Sequence, residues 1–235
     1  MSTPLAIILT LFIFALLGYL LGSINAGIII TKLFIKTDIR EHGSGNAGMT
    51  NVTRVAGKLP GAITFIWDFL KGVAASGIAR YACTPLLTLF LGENADTLLN
   101  PAFAAGIGAL FCIIGHMFPV FFGFRGGKGV ATIAGAGMFV DWRVACLALA
   151  IFGILVLTTK YVSLSSIIAA GSAWITLFLF YDQSITYTYF PFFQSRIIVT
   201  LLMLCMSAAV VSKHKTNIVR LIHGNERRIG QKKKD

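Results

Sequence analysis

Charge is scarce in this sequence. Only 12% of its 235 residues are charged and nine are acidic, whereas an ordinary soluble domain carries about 25% charged residues. A polar coat this thin does not cover a water-facing globule, and 56% of the chain is hydrophobic. Acidic residues are too few and too scattered to build a carboxylate metal cluster, so no metal and no cofactor are expected. The four cysteines, Cys83, Cys112, Cys146 and Cys205, include no CxxC pair, which argues against both a disulfide framework and a zinc site. Met1–Leu21 lacks a charged leading region and an A-x-A cleavage site, so it reads as a first membrane span and not as a secretory signal.

The apolar residues come in runs of spanning length separated by short polar loops: roughly 4–30, 60–82, 101–122, 129–140, 143–159, 162–181 and 196–212. The pattern predicts an all-α membrane protein, a single integral-membrane domain over 1–235 with a bundle of about seven transmembrane helices. Basic residues cluster between the runs. Lys32, Lys36, Arg40, Arg54 and Lys58 fall in 31–58, Arg125 and Lys128 in the middle, then Lys160, and a basic juxtamembrane tail fills 213–235. Placing these segments inside gives a consistent alternation. The N-terminus, 83–100, Asp141–Arg143 and 182–195 lie outside, and the C-terminus is cytoplasmic. Segment 129–140 is short for a ~30 Å hydrocarbon core, and 227–235 is expected to fray. Gly18 and Gly22 form a GxxxG, suited to close helix packing.

Five polar constellations interrupt the apolar background. Gly43, Gly45 and Gly48 form a GxGxxG, but a membrane helix precedes it and no βαβ unit surrounds it, which excludes a dinucleotide fold. What remains is a loop whose backbone N–H groups can converge on an anion. Ser44, Asn46, Thr50 and Asn51 add side-chain donors, with Arg40 and Arg54 beside them. A second glycine-rich turn, Gly126-Gly127-Lys128-Gly129, opens a helix and follows His116. It is not a Walker A loop, because Phe122 and Gly129 stand where that motif needs glycine and Ser or Thr. Asp68 and Lys71 share a face inside the second span, where ionisable residues are costly. They serve either to tie helices together or to support chemistry. Ser163 and Ser166 lie one helical turn apart after Lys160, and His214 and Asn217 stack near the inner surface. Phosphate or anionic headgroups suit these basic loops. Nucleic acid does not, since the loops lack interleaved aromatics and any recognised binding motif.

Seven stretches in order resemble the bacterial acyl-phosphate:glycerol-3-phosphate acyltransferase family of the PlsY type. They are GSI at Gly22–Ile24, GSGNAGMTN at Gly43–Asn51 with Arg54, and DxxKG at Asp68–Gly72. GHMFP at Gly115–Pro119 follows, then GGKGVAT at Gly126–Thr132, YVSLSSI at Tyr161–Ile167 and HxxNxxRL at His214–Leu221. Asn25 stands where the family usually has proline, and Met49 where it usually has alanine.

The resemblance implies a seven-span enzyme of the bacterial inner membrane with its site on the cytoplasmic face. It would move an acyl chain from acyl phosphate to the C1 hydroxyl of glycerol 3-phosphate, making lysophosphatidic acid at the first acylation step of phospholipid synthesis. The absence of HxxxxD, hallmark of the other glycerolipid acyltransferases, fits. Carried over by motif, Arg54, Lys128, Ser163 or Ser166, His214 and Asn217 would hold glycerol 3-phosphate. Gly43, Ser44, Gly45, Asn46, Gly48, Thr50 and Asn51 would hold acyl phosphate. Ser44, Asn46, Lys128 and His214 are the catalytic candidates, with Asp68, Lys71 and His116 in support. Membrane lipids are the remaining partner. A transporter or flippase for an organic phosphate would use similar basic loops, but the charges lie on one face, and Asp68 and Lys71 alone enter the bilayer as a candidate path.

Overall fold

The computed structural model describes residues 1–92, 95–181 and 196–231. Among these the chain is wholly helical: α1 (Thr3–Ser23), α2 (Ala26–Ile35), α3 (Met49–Ala56), α4 (Lys58–Leu91), α5 (Pro101–Met117), α6 (Val130–Val140), α7 (Trp142–Thr159), α8 (Val162–Phe180), α9 (Arg196–Ser212) and α10 (Lys215–Ile222). Each apolar run of the sequence is helical. Five stretches are long and apolar enough to cross a membrane: Thr3–Ile35, Lys58–Leu91, Pro101–Phe122, Trp142–Thr159 and Val162–Phe180. A sixth is reached if α9 and α10, bent by 60° at their junction, count together. The expected seventh is α6, whose 11 residues rise only about 16 Å, roughly half of a hydrocarbon core.

Sequence and burial explain how the helices sit. On α1, Leu5, Ile8, Phe12 and Leu16 face outward at helical spacing, while Ala6, Thr10, Phe14 and Gly18 turn inward. A soluble protein hides such residues; in lipid the outward stripe needs no cover. The GxxxG of α1 closes on α5: a Cβ on Gly18 would lie 2.4 Å from Gly108 O, and one on Gly22 2.0 Å from Cys112 O. Any larger residue would prise the helices apart. α4 packs on α5 and α6, α7 on α8, and α8 on α9. A small separate core of Ile28, Ile39, Ala47 and Val52 seats the loop after α2.

Two expectations change. α4 runs through 83–91, beyond the expected outer-loop boundary, because that stretch carries no charge and keeps its helical register despite Pro85. The segment 227–231 is docked, not frayed. Ile229 N–H donates to Lys160 O at 2.9 Å, and the Arg228 guanidinium lies 5.0 Å from the Tyr161 ring centre. The expected loop 182–195 and residues 232–235 lie outside the described residues. Asn25 caps α2 by accepting from Ile28 N–H at 3.3 Å, a hydrogen bond a proline there could not provide. Met49, the other departure, is exposed at the start of α3.

Candidate active site

The loops after α2, α5 and α7, the α9–α10 junction and the tail converge at one end of the bundle. The loop before α3 is shaped by Gly43 and Gly45, at φ of 64° and 72°, the left-handed region that favours glycine. Asn51 braces it from below. Its Oδ1 accepts from Ser44 N–H at 2.9 Å, and its Nδ2 donates to His42 O at 2.9 Å and Ile39 O at 3.4 Å. Both ends of the Asn51 amide are therefore engaged by the loop itself. Ser44 and Thr50 are exposed. Asn46 Oδ1 is buried without a hydrogen-bond partner among the described residues. Gly48 leads directly into the N-terminus of α3, whose first N–H groups face the loop.

Arg40 has a role that its position in the basic loop does not disclose. It pairs with Asp38 at 2.8 Å and donates to Phe122 O at 2.6 Å and Arg125 O at 3.3 Å. It thus ties the first glycine loop to the second. The Arg40 guanidinium beside Asp38 holds that carboxyl at about 2, so the strut stays charged throughout the neutral range.

The second glycine loop brings Lys128 to the α9–α10 junction. Lys128 Nζ donates to Asn217 Oδ1. Asn217 Nδ2 donates to Glu226 Oε1, and Arg220 Nε to Glu226 Oε2, both at 2.7 Å. Arg54 and Arg227 lie close enough for their charges to interact with each other and, through Arg54, with Glu226 and Arg220. Burial pushes the Lys128 ammonium down to about 8, an effect that Glu226 offsets in part and Arg220 reinforces. Burial also opposes ionisation of Glu226, but hydrogen bonds from Arg220, Asn217 and Ser163 outweigh it and hold that carboxyl below its ordinary range.

Ser163 and Ser166 separate. Ser166 Oγ donates back to Val162 O at 2.8 Å. Ser163 Oγ lies buried beside the Glu226 carboxylate, which its hydroxyl helps to hold ionised. Of the two, Ser163 is the one whose hydroxyl faces the anionic position of the pocket and not its own helix. His214 is buried, and its Nδ1 donates to Val210 O at 2.8 Å, which leaves Nε2 as the acceptor. Burial, then the nearby Lys128 charge, push it down to about 4. At neutral pH His214 is an uncharged imidazole that can accept a hydrogen bond. Asp68, Lys71 and His116 form a group of their own behind the Lys128 loop.

Sequence reading named Lys128, Ser163, His214, Asn217 and Arg54, and the fold gathers Lys128, Ser163, His214 and Asn217 around the acid Glu226, with the charge of Arg54 beside it. It gave no role to Glu226, and it met Arg220 only as the arginine of the HxxNxxRL motif. An acid set directly before Arg227 and Arg228 in a strongly basic tail was the available signal for the first. Chemically, the cluster is a half-buried cationic pocket with neutral donors and one imidazole acceptor, suited to a phosphate monoester. The glycine loop beside it suits a second anion.

The glycerol-3-phosphate acyltransferase family model matches residues 12–224. A glycerol-3-phosphate acyltransferase of Clostridioides difficile (strain 630) is 41% identical over 222 residues, covering 94% of this chain and 96% of the relative. One from Ureaplasma urealyticum serovar 10 is 37% identical, covering 97% and 93%. The crystal structure of PlsY (YgiH), an integral membrane glycerol 3-phosphate acyltransferase, in its glycerol 3-phosphate form, superposes with a TM-score of 0.74 at 35% identity, covering 94% and 96%. The lysophosphatidic acid form gives 0.71 at 36%, covering 94% and 95%. With its membrane helices, its paired glycine loops and a family match along nearly its whole length, this chain belongs to the glycerol-3-phosphate acyltransferase family.

Proposed function

We propose that this protein, acting as one membrane domain, transfers an acyl group from acyl phosphate to the C1 hydroxyl of glycerol 3-phosphate, releasing lysophosphatidic acid and phosphate. The observation that carries the reading is the pocket in which Lys128, Asn217, Ser163 and Arg220 surround one anionic position beside the His214 imidazole. Lys128, Arg54, Ser163, Asn217 and His214 bind glycerol 3-phosphate. The Gly43–Gly48 loop, through its backbone N–H groups, Ser44, Asn46 and Thr50, holds the acyl phosphate, with Asn51 keeping that loop in shape. The acyl chain enters an apolar slot of about 110 Å³ bordered by Val130, Ala134, Ala145, Ala169 and Met203, which begins two residues after Lys128. The basic end faces the cytoplasm of a bacterial inner membrane, as the distribution of Lys and Arg favours.

In the reaction, the C1 oxygen attacks the acyl carbonyl carbon, and the bond from that carbon to the phosphate oxygen breaks. An acyl phosphate is a mixed anhydride with a good leaving group, so no acyl-enzyme is needed. Positioning the two anions and stabilising the oxyanion and departing phosphate are the protein's contribution. The hydroxyl proton passes to a phosphate oxygen of the substrate, a group whose second pKa is ~6. The His214 imidazole, at about 4, is the weaker base, and its Nε2 orients the glycerol by accepting from the C2 hydroxyl, which does not react.

Purified protein in detergent, given labelled glycerol 3-phosphate with palmitoyl phosphate or palmitoyl-CoA, tests the reading. Lysophosphatidic acid from the acyl phosphate alone is expected. Product only with the CoA donor would refute the donor assignment. No product from a folded protein that still binds glycerol 3-phosphate would favour a transporter, which cannot show its activity without compartments.

A further inference from the structure

Asp68, Lys71 and His116 are 3%, 5% and 2% exposed, inside a bundle that offers few other charges. Lys71 Nζ lies 2.7 Å from Asp68 Oδ1, 2.9 Å from His116 Nδ1 and 3.2 Å from Ile24 O, to which it donates. Asp68 Oδ1 is also 3.4 Å from His116 Nδ1. An ammonium ion has only donors, so at 2.9 Å the Nδ1 atom must accept from it, and the ring proton of a neutral His116 then sits on Nε2. One Lys71 ammonium thereby locks the ring of His116 in both orientation and tautomer.

The locked ring is the seat of the Lys128 loop. A Cβ built on Gly127 would lie 2.2 Å from His116 Nε2, and one on Gly126 2.0 Å from His116 O. The turn therefore rests directly on the imidazole edge and on the last carbonyls of α5. Gly127 N–H donates to His116 O at 3.1 Å, and Gly126 N–H to Met117 O at 3.2 Å. From the other side, Gly72, next to Lys71, lets α6 close on α4, since a Cβ there would meet Thr132 O at 2.2 Å. Lys128 is thus held between a turn seated on His116 and a helix seated on α4, and both supports lead back to the same two turns of α4.

We propose that the buried Asp68–Lys71–His116 array is a positioning device that holds the Gly126–Gly127 turn, and with it the Lys128 ammonium, in the geometry that binds the phosphate of glycerol 3-phosphate. This rests on the acyltransferase reading for the identity of the ligand. The three residues are positioning residues: they act through the turn and do not touch the reacting atoms. A buried ion pair is commonly no more stable than apolar residues of the same volume. Stability alone therefore gives little reason for three such groups to meet here, whereas a charge-locked ring edge provides directional support that an aliphatic side chain cannot.

The test is equilibrium binding of glycerol 3-phosphate by calorimetry, alongside KM for each substrate and the melting temperature, in detergent. Two variants are used. His116→Asn leaves Lys71 an acceptor and withdraws only the ring edge from Gly127. The double variant Asp68→Leu/Lys71→Met replaces the pair by apolar groups of similar size. Expected is a Kd for glycerol 3-phosphate raised on the order of tenfold, the scale on which small displacements of a positioned group act, with KM for acyl phosphate within about twofold of wild type. A second readout is specific to position: in a Lys128→Ala background His116→Asn should weaken binding by no further factor. Unchanged Kd in either folded variant would overturn the inference, as would equal rises in both substrates' KM, or full additivity with Lys128→Ala. If wild type binds glycerol 3-phosphate without acylating it, the acyltransferase reading fails, while the Kd values still decide the role of the array.

Discussion

The half-buried Lys128 makes a sharp prediction about alkaline pH. Its ammonium is pushed down to about 8, and the phosphate of glycerol 3-phosphate is already a dianion above pH ~7. Between pH 7.5 and 9.5 the substrate therefore does not change charge while Lys128 loses its own. If only the protonated lysine binds phosphate, the apparent Kd scales inversely with the protonated fraction. That fraction falls to roughly one-eleventh at pH 9, an elevenfold weakening, or about 1.4 kcal/mol. Burial sets most of the depression, Glu226 offsets part of it, and Arg220 adds to it. Bound phosphate adds negative charge and raises the midpoint, so the limb belongs to kcat/KM for glycerol 3-phosphate and moves to higher pH in kcat. The assay is initial rate against glycerol 3-phosphate concentration at half-unit pH steps, in wild type and Lys128→Arg. Arginine stays charged across the range, so the alkaline limb should vanish from Lys128→Arg, whatever its absolute rate. A limb at the same midpoint in that variant would refute the assignment to Lys128.

Four further positions carry outcomes that follow from the same geometry. His214→Asn should keep a substantial fraction of activity with an unchanged acidic limb in the pH–rate profile; loss of that limb would make His214 the base. Because His214 is pushed from 6.5 to about 4, the unfolded state binds more protons between those values. Its contribution to stability is thus present above pH ~6.5 and lost as pH falls toward 4, and melting temperatures of His214→Asn should fall less steeply over that window. Ser163→Ala should raise KM for glycerol 3-phosphate about tenfold, the worth of one hydrogen bond to a charged group, whereas Ser166→Ala should change it less than about twofold. Asn51→Ala removes three loop hydrogen bonds and should cost about 2–3 kcal/mol of local stability, seen as a raised KM for acyl phosphate. Ala134→Phe narrows the apolar slot and should shift donor preference toward shorter acyl chains, read from kcat/KM across a chain-length series; an unchanged preference would place the chain elsewhere.

Much of the site was legible because its residues report their cost locally. A lysine next to three glycines, a serine pair at helical spacing, or an Asp–Lys pair inside an apolar run stands out against its neighbours, since burying such groups needs a reason. Asn51 was legible as a polar residue of the first loop but not as its brace, because an amide that binds the backbone and one that binds a ligand look alike in sequence. Arg40 was read as free charge for an anion, whereas its partners are the carbonyls of Phe122 and Arg125, 82 and 85 residues away. Nothing near Arg40 in the chain announces them. The segment from 227 was expected to fray, yet the Tyr161 ring and Lys160 carbonyl that hold Arg228 and Ile229 belong to a different loop.

The amino-acid sequence by itself determined that the chain is helical and lives in a membrane, where its apolar helices run, and which loops gather the basic and glycine residues suited to an anion. These are local consequences of backbone hydrogen bonding in lipid and of the expense of charge there. Only the tertiary structure decided that Ser163 and not Ser166 faces the pocket, that Glu226 sits at the centre of the cationic pocket, and that His116 is the seat of the Lys128 loop. Each of those depends on distances between groups tens of residues apart in the chain. Helix packing fixes such distances, and local composition carries no record of them.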